Sequence, residues 1–355
     1  MTLDEEARPI RYRSLSGNGG ELRLLELQPA LTNNINEPIV CRLVHETVKE
    51  SSQFIALSSL YGDVSVKEHI MLDGVRVVIP QHLSEALRYI RAVFLTNTTP
   101  NSYSSVSSSS GSRDRSEQAQ SVLKKRPPRW LLPLLRGFRN IFVEPSSRSS
   151  AAPSLCVWLD LLCVNKRDAR EASEKRLHMT RAYQNATLVV GWLGTKDSTS
   201  DLAIEIIRAW DKCMPASFGE PGDREAHPEN YAPIMQWMAP VQHLSEIPEG
   251  ITDARQVPSY NAIFQFLNRP FFRNAWLLEE MSLARFPAFL VGDDIISWMQ
   301  ILRLNRANEE IRDHGAEMFP DELRPLLQYM PLGSVFAFLE AFDARQREKR
   351  AEVVQ

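Results

Sequence analysis

The sequence predicts an α/β protein: a parallel sheet flanked by helices, interrupted by long insertions and followed by a helical C-terminal extension. Three observations carry that prediction. Short apolar runs at 54–58, 155–164, 188–193 and 288–291 lack the alternation of half-exposed strands and read as strands buried on both faces. Segments with helical spacing, such as 83–94 and 202–214, lie between them. Two stretches, 96–153 and 215–257, break the pattern with serine, glycine and proline.

The elements follow in order. Residues 1–20 are polar and glycine-containing. Glu21–Leu27 alternates as a strand within an N-terminal extension spanning 1–38, and 39–44 is a second strand. The run 54–58 breaks at Tyr61-Gly62-Asp63, where glycine permits a sharp turn. Residues 66–79 alternate around Asp73-Gly74, a hairpin signal. Pro80 opens a helix with Leu83, Ala86, Leu87, Ile90 and Val93 on one face. Ser102 to Ser116 is almost free of large apolar residues and is expected to be disordered. Within the same insertion, 124–139 combines basic and apolar residues. It reads either as a membrane-surface or partner-binding element or as a loop patch that packs locally, and its three prolines argue against a regular amphipathic helix. The strand 155–164 leads to a helix over 171–186, then to the strand 188–193 and the helix 202–214. The insertion 215–257 is loop-rich, with a short helix at 234–241. Helices at 260–267 and 276–284, a strand at 288–291, and late helices at 295–311 and 334–349 complete the chain.

The chain has 355 residues, enough for one large or two ordinary domains. Its net charge of −3 gives no electrostatic ground for nucleic-acid binding. Four cysteines show neither a CxxC pair nor zinc-type spacing and read as small buried hydrophobes in a reducing compartment. The acidic start, Met1-Thr-Leu-Asp-Glu-Glu6, is not a signal peptide. No apolar run reaches the roughly 18–20 residues that span a bilayer. The expectation is a cytoplasmic protein. No G-x-S-x-G elbow is present, Gly191-Trp-Leu-Gly-Thr-Lys196 is too short for a Walker motif, and the scattered histidines suggest no metal site.

The most informative stretch is Val157-Trp-Leu-Asp-Leu-Leu-Cys-Val-Asn-Lys-Arg-Asp-Ala-Arg-Glu171. Its Trp158, Asp160, Cys163, Asn165, Asp168 and Glu171 resemble the segment W-I-D-A-I-C-I-N-Q-x-D-x-x-E of the fungal heterokaryon-incompatibility (HET) domain. Two further blocks are similar to that family: Ala56-Leu-Ser-Ser-Leu-Tyr-Gly-Asp63 and Arg269-Pro-Phe-Phe-Arg-Asn-Ala-Trp-Leu-Leu-Glu-Glu-Met-Ser-Leu-Ala284. The resemblance spans about 39–310 and leaves 311–355 as a helical tail. Departures occur at Ser59 and Tyr61, where the family has tyrosine and tryptophan. Lys166 replaces glutamine, Asn274 replaces arginine, and Glu279 replaces glutamine. An inactive copy is therefore among the readings.

The resemblance implies a TIR/flavodoxin-like fold and a role in nonself recognition and programmed cell death. It also implies self-association and an incompatibility partner that the sequence does not name. Many TIR domains cleave NAD⁺ with a glutamate in a W-x-x-x-E context, the spacing of Trp276-Leu-Leu-Glu-Glu280. Glu280 is thus the implied catalytic carboxylate and Trp276 its aromatic neighbour. NAD⁺ would be a substrate, and no cofactor is required. A helix anchor at Trp276 with an exposed Glu280 explains the same spacing, and so does a non-catalytic signalling module.

The remaining candidates come from the residues themselves. Asp160 lies in an apolar run, where an unpaired carboxylate is costly, so it either faces a ligand or forms a structural pair. Asn165 and Glu171 belong to a strand-to-helix turn that Asp168 is placed to cap, with Glu171 also able to face the cleft. Ser58, Tyr61, Gly62 and Asp63 follow the first core strand, where a wound sheet puts its ligand crevice or simply a turn.

Overall fold

The computed structural model describes residues 9–16, 20–32, 34–49, 52–95, 127–138, 154–244, 246–251, 253–318, 321, 324 and 334–354. The expected disorder at 102–116, and residues 124–126 and 139 of the basic segment, lie outside the described residues. The chain divides into two compact units, one of residues 1–194 and 283–295, the other of 195–282 and 296–355.

The first unit holds the sheet. Its strands in chain order are β1 (Glu21–Leu27), β2 (Val40–Thr47), β3 (Ile55–Ser58), β4 (Lys67–Leu72), β5 (Val75–Pro80), β6 (Leu155–Trp158), β7 (Leu188–Trp192) and β8 (Pro287–Val291), with β9 (Asp294–Ser297) at the far edge. The order across the sheet is β5-β4-β2-β1-β6-β3-β7-β8-β9. Strands β6, β3, β7 and β8 run parallel. In chain order these four stand as 2-1-3-4, the start of the flavodoxin-like winding. As the apolar runs predict, β3, β7 and β8 are buried throughout.

The sheet is mixed, with antiparallel strands beside the parallel ones. β1 is antiparallel to both β2 and β6. It is an internal strand of the sheet. The hairpin β4–β5 turns on Asp73 and Gly74, with φ of 51° and 74°, the left-handed pair a two-residue hairpin needs. Asp73 also accepts the amide of Leu43 at 3.2 Å, tying the turn to β2. Helix α1 (Gln81–Phe94) follows Pro80 and buries Leu83, Ala86, Leu87, Ile90 and Phe94.

In the long insertion, Trp130 stacks on Phe286 at 5.4 Å, and α2 (Leu132–Gly137) is flanked by buried Leu131 and Phe138. The described part of the basic-apolar segment therefore packs locally. No helix among the described residues is long and apolar enough to cross a membrane.

The strand expected to reach Val164 ends at Trp158. The chain turns at Leu159 into one helical turn, α3 (Asp160–Cys163), closed by Cys163 N–H to Leu159 O at 2.8 Å. Continuing the strand would carry Asp160 into an apolar sheet; the turn puts it at the sheet's edge, where polar groups reach it. Helices α4 (Ala169–Ser173) and α5 (Lys175–Asn185) follow.

The second unit is helical: α6 (Ser200–Cys213), α7 (Asp223–Ala226), α8 (Pro258–Leu267), α9 (Ala275–Ser282), α10 (Trp298–His314) and α11 (Ser334–Val354). The loop-rich stretch forms 3-10 turns at 228–230 and 236–244, anchored by Phe218 stacked on Tyr231 at 4.8 Å. A reciprocal capping box between Ser297 and Gln300 starts α10. Arg306 of α10 fixes α11 through Glu340 at 2.8 Å and Asp343 at 2.9 Å.

Candidate functional site

Two neighbouring parallel strands, β3 and β6, end side by side, and the loops that leave them meet. Tyr61, three residues beyond β3, donates its hydroxyl to Asp160 Oδ2 at 2.5 Å. Lys175, at the start of α5, reaches the same oxygen at 3.1 Å. Lys166, from the turn before α4, lies 3.4 Å from the Tyr61 hydroxyl and 5.3 Å from the centre of its ring. A carboxylate, a phenol and two ammonium groups thus gather at the carboxyl edge of the sheet, where wound α/β proteins bind ligands. Asp160 is only 9% exposed, which its partners make tolerable. Both partners use Oδ2; Oδ1 meets no partner among the described residues.

Gly62 continues this edge. Its φ is +69°, and a Cβ there would sit 2.6 Å from Cβ of His82. Glycine is therefore required by both backbone and space. His82 and Tyr89 of α1 flank the indole of Trp192, with ring centres 6.0 and 5.4 Å away. The buried Trp192 Nε1 has no partner among the described residues. Burial holds the His82 imidazole below its ordinary pKa.

The other expected residues behave differently. Ser58 is fully buried as the last residue of β3. Asp63 is exposed and turns back on Ser65, accepting its amide at 2.8 Å and its hydroxyl at 2.6 Å. Those bonds lower its pKa and mark it as a turn-former.

Glu171 is buried in an ion pair with Arg23 of β1. Arg23 Nη1 donates to Oε1 at 2.5 Å and Nη2 to Oε2 at 3.1 Å. Asn165 N–H donates to the same Oε1 at 2.7 Å, while the Asn165 side chain accepts Arg167 N–H at 3.1 Å. Asp168 caps α4 by accepting the amides of Arg170 and Glu171. The capping half is as expected; the reciprocal half is not made, because Arg23 takes the Glu171 carboxylate. Glu171 and Asn165 thus brace the turn that carries Lys166.

Sequence reading passed over Arg23, Lys175, His82 and Trp192. Arg23 had a signal, a guanidinium inside the apolar strand Glu21-Leu-Arg-Leu-Leu-Glu-Leu27. Trp192 had only its place in the apolar run 188–193, and Lys175 and His82 had none, because their role depends on which loops meet.

Trp276 and Glu280 lie on α9 of the second unit. The tryptophan is 47% exposed and the glutamate 8% exposed, the reverse of a buried anchor with an exposed carboxylate. Both Asp160 and Glu280 are buried, so exposure does not separate them. Among the described residues no three His, Cys, Asp or Glu side chains are placed to hold a metal ion. The four cysteines are free, and burial pushes the Cys41, Cys156 and Cys163 thiols up to about 12.

No curated protein and no solved structure matches the chain. Residues 146–280 match the family model described as heterokaryon incompatibility protein (HET), a span that includes Asp160, Lys166, Lys175 and Glu280. Residues 146–280, a little over a third of the chain, are therefore similar to the heterokaryon-incompatibility (HET) domain.

Proposed function

We propose that the chain is an effector of heterokaryon incompatibility, the fungal nonself response that ends in cell death, and that it hydrolyses NAD⁺ in a TIR-like manner. The observation that supports a ligand site is the convergence of Asp160 and Tyr61 at the ends of adjacent parallel strands. Asp160 Oδ1 faces no protein donor among the described residues and suits a ribose hydroxyl. In the reaction, water adds to the anomeric carbon as the carbon–nitrogen bond breaks. The bond's electron pair leaves with nicotinamide, and ADP-ribose and a proton are the other products. The transition state is oxocarbenium-like and is stabilised by a carboxylate; the W-x-x-x-E spacing of Trp276 and Glu280 is what nominates Glu280 for that role.

The exposed ring of Trp276 favours a second reading, in which α9 docks a partner or another copy of the chain and the domain signals without chemistry. Nicotinamide release from NAD⁺ by the full chain, concentrated or artificially clustered, separates the two. Release that disappears in Glu280→Gln, at an unchanged melting temperature, is the expected result. Intact NAD⁺ with the wild-type chain, or cell killing that persists in Glu280→Gln, would leave the docking reading standing.

A further inference from the structure

Lys166 and Lys175 have no structural task that explains both. One carboxylate, Asp160, faces two ammonium groups through the hydrogen-bonded series Lys166–Tyr61–Asp160–Lys175. The nearby acids are occupied elsewhere: Glu171 by Arg23, Glu174 by Arg170 at 3.4 Å, and Asp168 by the start of α4. The corner therefore keeps a surplus positive charge. Half-exposed lysine–carboxylate pairs stabilise a fold by only about 0–1 kcal/mol, so either lysine can swing to an incoming anion at little cost. Lys166 is also where this chain departs from its family's glutamine, so one of the two charges is its own.

Resting on the ligand site proposed above, we infer that Lys166 and Lys175 bind the pyrophosphate of a soluble dinucleotide, while Asp160 takes a hydroxyl of the adjoining sugar. Two cations on separate elements match a diphosphate's paired charges. The Tyr61 hydroxyl keeps its donor on Asp160 Oδ2 and holds that carboxylate in place when Lys175 moves to the anion. The Arg23–Glu171–Asn165 brace fixes the turn that carries Lys166, so the anion site is held from behind.

Calorimetric titration of the full chain with inorganic pyrophosphate, ADP-ribose and uncharged adenosine tests this. Lys166→Gln and Lys175→Gln should each weaken pyrophosphate and ADP-ribose by about tenfold. Lys166→Arg and Lys175→Arg should restore binding, and raised salt should weaken the wild type more than the glutamine variants. Equal melting temperatures across the set confirm that folding is not the cause. ADP-ribose binding that is the same in wild type and in the double glutamine variant overturns the lysine assignment and leaves the nucleotide site intact. Lysine-dependent pyrophosphate binding without NAD⁺ cleavage upholds the lysine assignment and removes the NAD⁺ reading. No binding of pyrophosphate or ADP-ribose by the wild type overturns the inference.

Discussion

Asp160 and Glu171 come from one sequence motif and are both buried carboxylates, yet the fold uses them in opposite ways. Glu171 meets a guanidinium that is 1% exposed, in a two-point bond, and accepts a backbone amide as well. Asp160 meets a phenol and a lysine whose side chain is 38% exposed. The first arrangement is buried and held at two points; the second holds its cation through one carboxylate oxygen, with the lysine part-exposed. Burial of a carboxylate does not by itself mark a binding site. What marks one is whether its partners can exchange for a ligand.

The largest expected effect breaks this contrast by truncation. Arg23→Ala leaves Glu171 buried and unpaired, and should cost about 3–5 kcal/mol of stability. Lys175→Ala leaves Asp160 at a solvent-reachable edge and should cost about 1 kcal/mol or less. Urea unfolding of both variants measures the difference, and equal midpoints would show that the two carboxylates are held alike.

An intermediate effect is expected at Gly62. Alanine there takes on a left-handed φ penalty of about 1 kcal/mol, and its Cβ meets His82 at 2.6 Å. The Tyr61 loop must shift, so Gly62→Ala should lose more ADP-ribose affinity than the small drop in its unfolding midpoint would suggest. Retained affinity would show that loop position does not shape the Asp160 corner.

The smallest effect is a pH dependence shared by both regions. Burial lowers the pKa of His82, beside the corner, and of His178, near the Glu171 pair. An unfolded histidine takes up its proton near pH 6.5, while these two stay neutral to lower pH, so the unfolded state binds more protons in that window. Stability is therefore full above about pH 6.5 and falls as pH drops toward the lowered folded values. Urea midpoints should decline between about pH 7 and pH 5.5, with a smaller decline in His178→Gln. A flat profile in the wild type would contradict the burial argument.

Much of the fold was legible because its signals are local. Continuous apolar runs announced β3, β7 and β8; Asp73-Gly74 announced the hairpin; and the spacing of Leu83, Ala86, Leu87 and Ile90 announced α1. The end of β6 was not legible, since an apolar run does not say where a strand bends. Nor was the place of β1, whose alternating pattern suits an edge as well as an interior. At the candidate site, Tyr61, Gly62 and Asp160 could be named from the loops that follow strands. Lys175 could not, because a lysine opening a charged helix looks like any solvated lysine until a carboxylate is seen beside it.

The sequence alone determined which residues had to be buried, where the chain could turn and which family motif it carries. Those properties depend on side-chain chemistry and on neighbours within a few positions. Tertiary structure alone decided that Glu171 would be spent on Arg23 and that Asp160 would meet Tyr61 and Lys175. Arg23 and Glu171 are 148 residues apart and Tyr61 and Asp160 are 99 apart, so strand order sets both pairings and no local pattern records them.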